Sequence, residues 1–255
     1  MPFYVIKSRT LKICLVVIII SILLAVSIDG VSAAQVYFGY PNRKVPVYSV
    51  DTEVKQVAIS FDAAWGADKT AEIINILNEY NVKATFFLVG FWTDKYGDMV
   101  SFIDQNGMEI GTHSNTHPDM TTLSAESIKS ELETSISLIT NITGKEVKLF
   151  RAPYGAYNNT LLDTASSLGL TTIQWDVDTL DWKGLSGEEI CARVLKYAKN
   201  GSIILCHNNS DHILEALPLI LDRLQKQGYT IGTIGDLIYT ENYEIDRNGI
   251  QRSTL

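Results

Sequence analysis

The chain has 255 residues, 46% of them hydrophobic and 20% charged, the usage of a globular protein, which excludes a disordered or fibrous one. Its 29 acidic and 21 basic residues leave a formal net charge of −8, so the basic footprint that a nucleic-acid partner requires is missing. Three cysteines (Cys14, Cys191 and Cys206) are too few for a disulfide scaffold and include no CxxC pair of the kind that holds a structural zinc.

At the start, Lys7, Arg9 and Lys12 precede an apolar run from Ile13 to Ile28, and Val31-Ser32-Ala33 follows with small residues. This is the pattern of an export signal, so residues 1–33 read as a signal peptide or a signal-anchor helix. The run is shorter than the ~20 residues a membrane-crossing helix needs, which favours cleavage. In either form the rest of the chain is extracytoplasmic, secreted or anchored, and membrane contact is confined to this segment. Losing Lys7, Arg9, Lys12 and Asp29 with it would take the net charge from −8 to −10. Residues 34–56 mix aromatics, prolines and polar residues without helical period and read as an extended arm. The domain proper is expected from Val57.

From there, short apolar runs alternate with amphipathic segments, the βαβα pattern of a parallel sheet or barrel. The expected strands are 57–61, 84–89, 108–111, 147–150, 171–175, 202–206 and 229–233, and seven is close to a barrel's count. The helices between them carry apolar residues at turn spacing, for example Ile128, Leu132, Ile136 and Ile139. Ser186 with Glu189 spells a capping box at one helix start. No linker divides 57–240, so this is one domain, followed by a polar tail over 241–255.

The chemically reactive side chains fall just past the C-terminal ends of these strands: Asp62, His113, Arg151, Asp176 with Asp178, and His207. In parallel barrels that edge is the catalytic face. His113 and His117, four residues apart, could chelate one divalent ion or be surface polar groups. Asp62 ends a buried strand, where it needs a cation or hydrogen bonds, or else caps a helix. Arg151 could bind a carboxylate bidentately or pack structurally under its turn, and both hold if it orients Asp62. Period-two alternation sets Asp176 and Asp178 on one strand face. With Asp181 they could bind calcium, serve as a glycosidase pair, tune a nearby histidine or simply be solvated. Alternation turns Cys206 away from whatever His207 faces, into the core, and His212 reads as a surface residue.

Taken in order, Ser-Phe-Asp at 60–62, His-Ser-x-x-His at 113–117, Arg-x-Pro-Tyr-Gly at 151–155, Asp-x-x-Asp-Trp at 178–182 and Leu-x-His at 205–207 resemble the polysaccharide deacetylases of the NodB-homology type, carbohydrate esterase family 4. The form Phe-Asp-x-x-Trp-Gly at 61–66 looks like their spore-associated, PdaB-like branch. The resemblance covers about 57–240. It implies a distorted parallel (β/α) barrel, here of seven strands, and hydrolytic removal of acetyl groups from a sugar polymer with a divalent metal, zinc or cobalt. It further implies that His113 and His117 hold the metal, Asp62 is the general base, His207 is the general acid, Arg151 orients Asp62, and Asp178 pairs with His207. Ala63 departs from the pattern, standing where most of the family has a second Asp. The substrate implied is an extracytoplasmic glycan, peptidoglycan or chitin-like, and Trp65, Tyr154, Tyr157 and Trp182 would suit stacking on sugar rings. Two other readings stay open: a glycan-binding or structural barrel that is weakly active or inactive for want of its full metal site, and a glycosidase using Asp62 with Asp176 or Asp178.

Overall fold

A computed structural model describes residues 43–255; the expected leader at 1–33 and the start of the arm lie outside the described residues. Among the described residues no helix is long and apolar enough to cross a membrane. The strands in chain order are β1 (Ser49–Val50), β2 (Gln56–Ala63), β3 (Thr85–Leu88), β4 (Glu109–Thr112), β5 (Leu149–Phe150), β6 (Thr171–Thr172), β7 (Val177–Asp178), β8 (Ile203–His207), β9 (Thr230–Gly232), β10 (Tyr243–Ile245) and β11 (Ile250–Ser253). Strands β2 to β9 form one sheet in the order β6-β5-β4-β3-β2-β8-β7, with β9 beside the first half of β2, and every pairing is parallel. Parallel central strands are covered on both faces and are therefore apolar throughout. β2 follows that rule, with Val57 through Ala63 all buried.

All seven expected runs contain a strand. The eighth, β7, comes from the acidic stretch after Trp175, where two residues are too few to show a period.

The sheet curls without closing, since β6 and β7 do not pair with one another. Residues 47–50 occupy the gap. Val47 bridges Ile173 in parallel and Ser49 bridges Ser202 in antiparallel sense, while the Val50 amide donates to the Gly201 carbonyl at 2.9 Å. The described part of the expected arm is thus extended but woven into the barrel, and the domain begins upstream of Val57. The expected polar tail is also structured. β10 and β11 form an antiparallel hairpin, and β11 pairs in parallel with β1, giving a small three-stranded sheet that buries Gln251.

Two apolar layers follow from strand alternation. Ile59, Phe61 and Ala63 join the helices, including Ile128, Leu132 and Ile139 of the helix Ala125–Thr143. Ala58, Phe87, Leu149, Ile173 and Ile203 fill the barrel interior with Val47 and Val50. Each Val, Leu, Ile or Phe side chain among them contributes about 1.5–3 kcal/mol by leaving water, and each Ala less. The Ser186–Glu189 capping box forms at the start of the helix Gly187–Tyr197, with both of its reciprocal bonds present.

Candidate active site

Parallel register brings the reactive residues to one edge. Asp62 of β2 and His207 of β8 are direct register partners, and His113 and Arg151 each follow by one residue the paired Thr112 and Phe150 of β4 and β5. Polar side chains emerge inward at this end, where the apolar filling stops.

Arg151 is fully buried beneath the site. Its Nη1 donates to Asp62 Oδ1 at 2.8 Å and to Ser60 Oγ at 2.9 Å, and its Nη2 donates to the Gln174 carbonyl at 3.2 Å. Its guanidinium lies 4.2 Å from the centre of the Phe87 ring. That ring fits because residue 111 is glycine: a Cβ there would stand 2.7 Å from Phe87 ring carbons and 2.9 Å from the Leu149 carbonyl. Arg151 is therefore a packed structural group that also fixes one oxygen of Asp62, through a single nitrogen and not bidentately, since its Nη2 goes to the Gln174 carbonyl. Burial alone would raise the Asp62 carboxyl, but the Arg151 charge, then His113 and His207, hold it below the ordinary carboxylate range. It is ionised at neutral pH.

His113 donates through Nδ1 to the Arg151 carbonyl at 2.7 Å, which leaves Nε2 as a bare lone pair, 3.6 Å from Asp62 Oδ2. Burial depresses its pKa to about 4, so it is neutral at pH 7. The His117 ring stands edge-on to it, with centroids 4.9 Å apart. Burial lowers the His117 pKa too, and its Nδ1 is buried with no hydrogen-bond partner among the described residues. The loop between them is held by Glu131, a residue that no motif or spacing singles out. Its carboxylate accepts from the Asn115 amide (2.9 Å), the Thr116 amide (2.8 Å) and the Thr116 hydroxyl (2.7 Å). Ser114 and His117 take left-handed φ of 68° and 57°, and Ser114 Oγ accepts from the His117 amide.

On the other side, His207 pairs with Asp181 and not with Asp178, which corrects the expected partner. Its Nδ1 meets Asp181 Oδ1 at 2.7 Å, and its own amide donates to Asp181 Oδ2 at 2.7 Å. Asp178 instead accepts from the Leu180 amide at 2.8 Å. The physical reason is local. Alternation ends with β7, Leu180 turns left-handed at φ 54°, and the short helical turn Asp181–Lys183 carries the next carboxylate inward. Burial works against a charged His207. The hydrogen bond and charge of Asp181, with Asp62 and Asp178 adding, nevertheless carry its pKa above the ordinary value. Asp176 accepts from Ser202 Oγ and the Ile203 amide, a structural placement away from Asp62. Cys206 is fully buried in the helix-side layer, as alternation requires, while His212 pairs with Glu215 at 3.1 Å on the surface. Trp65, Tyr154 and Trp182 are large, exposed rings, at 67%, 70% and 60%.

The fit of a divalent ion is tested by these donors. Two neutral imidazoles, one with a bare nitrogen and one with an unpartnered buried nitrogen, suit such an ion in chemistry. A catalytic zinc takes three protein ligands. Among the described residues no group of three or more His, Cys, Asp or Glu converges as a metal site, and Ala63 is fully buried among apolar side chains.

Comparison with known proteins agrees with this geometry. The polysaccharide deacetylase family profile matches residues 49–173. The uncharacterized protein YlxY of Bacillus subtilis is 33% identical over 193 residues, which cover 76% of this chain and 60% of YlxY. The peptidoglycan-N-acetylmuramic acid deacetylase PdaA of B. subtilis is 31% identical over 78% of this chain and 77% of its own length. A peptidoglycan-N-acetylglucosamine deacetylase of Bacillus cereus is 30% identical over 80% and 75%. Among solved structures, BA3943 of Bacillus anthracis, a CE4 family pseudoenzyme, superposes with a TM-score of 0.74 at 34% identity, covering 76% of this chain and 68% of BA3943. A mutant of it with restored enzymatic activity superposes equally well. On the identity and coverage of these relatives, the chain belongs to the polysaccharide deacetylases of carbohydrate esterase family 4.

Proposed function

We propose that this protein hydrolyses the acetamide of N-acetylated sugars in an extracytoplasmic glycan, with peptidoglycan the best-supported substrate. The observation that carries the reading is the meeting of an ionised carboxylate, Asp62, and a histidine with a raised pKa, His207, as register partners at one strand edge beside two neutral imidazoles. The names of PdaA and the B. cereus relative support the substrate class.

Asp62 takes a proton from the attacking water. Arg151 occupies one of its oxygens, leaving the other to face the reacting centre. His207 gives its proton to the departing sugar nitrogen as the carbon–nitrogen bond breaks, and Asp181, paired with Nδ1, keeps the ring in its doubly protonated, charged form until then. Acetate and a free amine are the products, and the two proton transfers balance. His113 and His117 would hold a divalent ion, zinc or cobalt, which when bound supplies polarisation of the acetyl carbonyl. Trp65, Tyr154 and Trp182 offer ring surface to the sugar. The leader at residues 1–33 would deliver the domain across the membrane by cleavage or anchoring, and the Trp65 motif favours a role in the spore wall.

A second reading, a glycan-binding barrel without turnover, draws on Ala63 and on the likeness to BA3943. Product analysis separates the readings. Peptidoglycan incubated with the protein should gain free amines and release acetate, with no new reducing ends. New reducing ends would instead mark a glycosidase, and no product at all would mark a binding protein.

A further inference from the structure

From Val57 to Ala63 every residue of β2 is buried, and only Ser60 and Asp62 among them are polar. Two residues apart on one strand, they face the same side, and both meet Arg151 there. A hydroxyl in such a strand is cut off from water and has to recover its hydrogen bonds from the protein. Ser60 does so twice. It donates to the Ile204 carbonyl of β8 at 2.8 Å and accepts from Arg151 Nη1 at 2.9 Å. A serine hydroxyl carries one hydrogen. With that hydrogen committed to β8, Ser60 can only accept from the arginine.

An arginine and a carboxylate commonly pair through two parallel bonds, one to each oxygen. Arg151 and Asp62 do not. Nη1 alone reaches the carboxylate, at Oδ1 and 2.8 Å, and two other acceptors draw the rest of the fork aside. Ser60 engages Nη1 as well, and the Gln174 carbonyl takes Nη2 at 3.2 Å. That carbonyl is itself pinned, since the Gln174 amide donates to the Val47 carbonyl at 2.7 Å and its Nε2 to the Gly155 carbonyl at 3.0 Å. The Phe87 and Trp175 rings, centred 4.2 and 5.5 Å from the guanidinium carbon, locate the group without supplying an oxygen acceptor that would set its turn. Arg151 Nε is buried with no hydrogen-bond partner among the described residues, a spare donor that a two-bond pairing with Asp62 would employ. The one-nitrogen pairing leaves Asp62 Oδ2 unclaimed by Arg151, 3.6 Å from His113 Nε2.

We propose that Ser60 is a positioning residue: by holding Arg151 Nη1, its hydroxyl prevents the guanidinium from closing on both oxygens of Asp62 and keeps Oδ2 free to take the proton from water. This rests on the deacetylase reading for what Oδ2 does, and the geometry of the pair tests it separately from turnover.

The experiment places Ser60→Ala, Ser60→Val and Ser60→Thr in the full-length protein. Valine and threonine share a shape and differ by the hydroxyl, so any packing strain is common to both. Crystal structures read the Arg151–Asp62 geometry, and acetate release from N-acetylglucosamine oligomers reads kcat and KM. In Ser60→Ala and Ser60→Val the guanidinium should bond both oxygens of Asp62. There kcat should fall about ten- to a hundredfold, the scale of a reacting group misplaced by about 1 Å, while KM stays within about twofold. Ser60→Thr should keep the one-nitrogen pairing and most of kcat, even where its melting temperature falls with that of Ser60→Val. If neither β-branched variant folds, Ser60→Ala decides. The role is overturned by one-nitrogen pairing that persists in Ser60→Ala, by unchanged kcat in that variant, or by equal losses of kcat in Ser60→Thr and Ser60→Val. If the unaltered protein releases no acetate, the deacetylase reading fails and the crystal geometry alone decides whether Ser60 holds the pair open. If acetate is released and Ser60→Ala keeps the one-nitrogen pairing, the deacetylase reading stands and the role of Ser60 fails.

Discussion

Asp62 and Arg151 are both buried, and removing either would strand the other's charge, which costs about 3–5 kcal/mol in such pairs. That cost keeps a carboxylate fixed at the strand end, where the proposed mechanism has it take a proton from water. At His207 the same logic sets a protonation state. Asp181, fully buried, holds Nδ1, so the imidazolium persists above its ordinary range. An acid catalyst works while protonated, so activity should fall as pH rises through the His207 pKa. Asp181→Asn removes the charge that raises this pKa. The alkaline limb of the rate profile should therefore move to lower pH, accompanied by the His207 ring resonance in an NMR titration. An unmoved alkaline limb would remove His207 from the acid role. The family resemblance implied Asp178 as the partner of His207; the structure gives that place to Asp181, because Leu180 turns the chain just past β7 and Asp178 accepts from its amide. A single left-handed leucine leaves no periodic trace.

At the scale of elements, the His113–His117 loop depends on a carboxylate supplied by the helix Ala125–Thr143. Three donors of Asn115 and Thr116 converge on Glu131, and charge-assisted bonds of this kind are about twice as strong as neutral ones. Glu131→Ala should leave the barrel folded but loosen the loop, lowering acetate release by at least about tenfold for a misplacement near 1 Å, with a small fall in melting temperature. Wild-type turnover in this variant would show that the loop holds itself. The seven short apolar runs were legible because a buried parallel strand is apolar on both faces. Val47 and β10–β11 were not, since a lone bridge and an exposed hairpin take their order from partners far along the chain. Deleting residues 241–255 would uncover Val50 and leave Tyr239 without its two bonds to Gln251. The melting temperature should drop by several degrees, at roughly 2–4 °C per kcal/mol lost. An unchanged melting curve would make the hairpin an appendage after all.

Over the whole molecule, one sheet edge gathers side chains from the ends of four strands and the loops after them, while the opposite layers are filled with apolar groups that keep those ends in register. The chain shares its family with peptidoglycan deacetylases and its fold, at equal TM-score, with a pseudoenzyme and with a mutant of that protein whose activity is restored. What separates those outcomes here is whether two imidazoles and Asp62 suffice where Ala63 gives no further donor. The most direct measurement is the initial rate of acetate release from peptidoglycan and N-acetylglucosamine oligomers, with zinc or cobalt added and with chelator, by the protein and by its Asp62→Asn and His113→Ala variants. The proposed deacetylase mechanism requires acetate from the unaltered protein, loss of activity with chelator and in His113→Ala, and a fall of about 10²–10⁴ in Asp62→Asn. No acetate under any condition, or the same rate in Asp62→Asn, would contradict it.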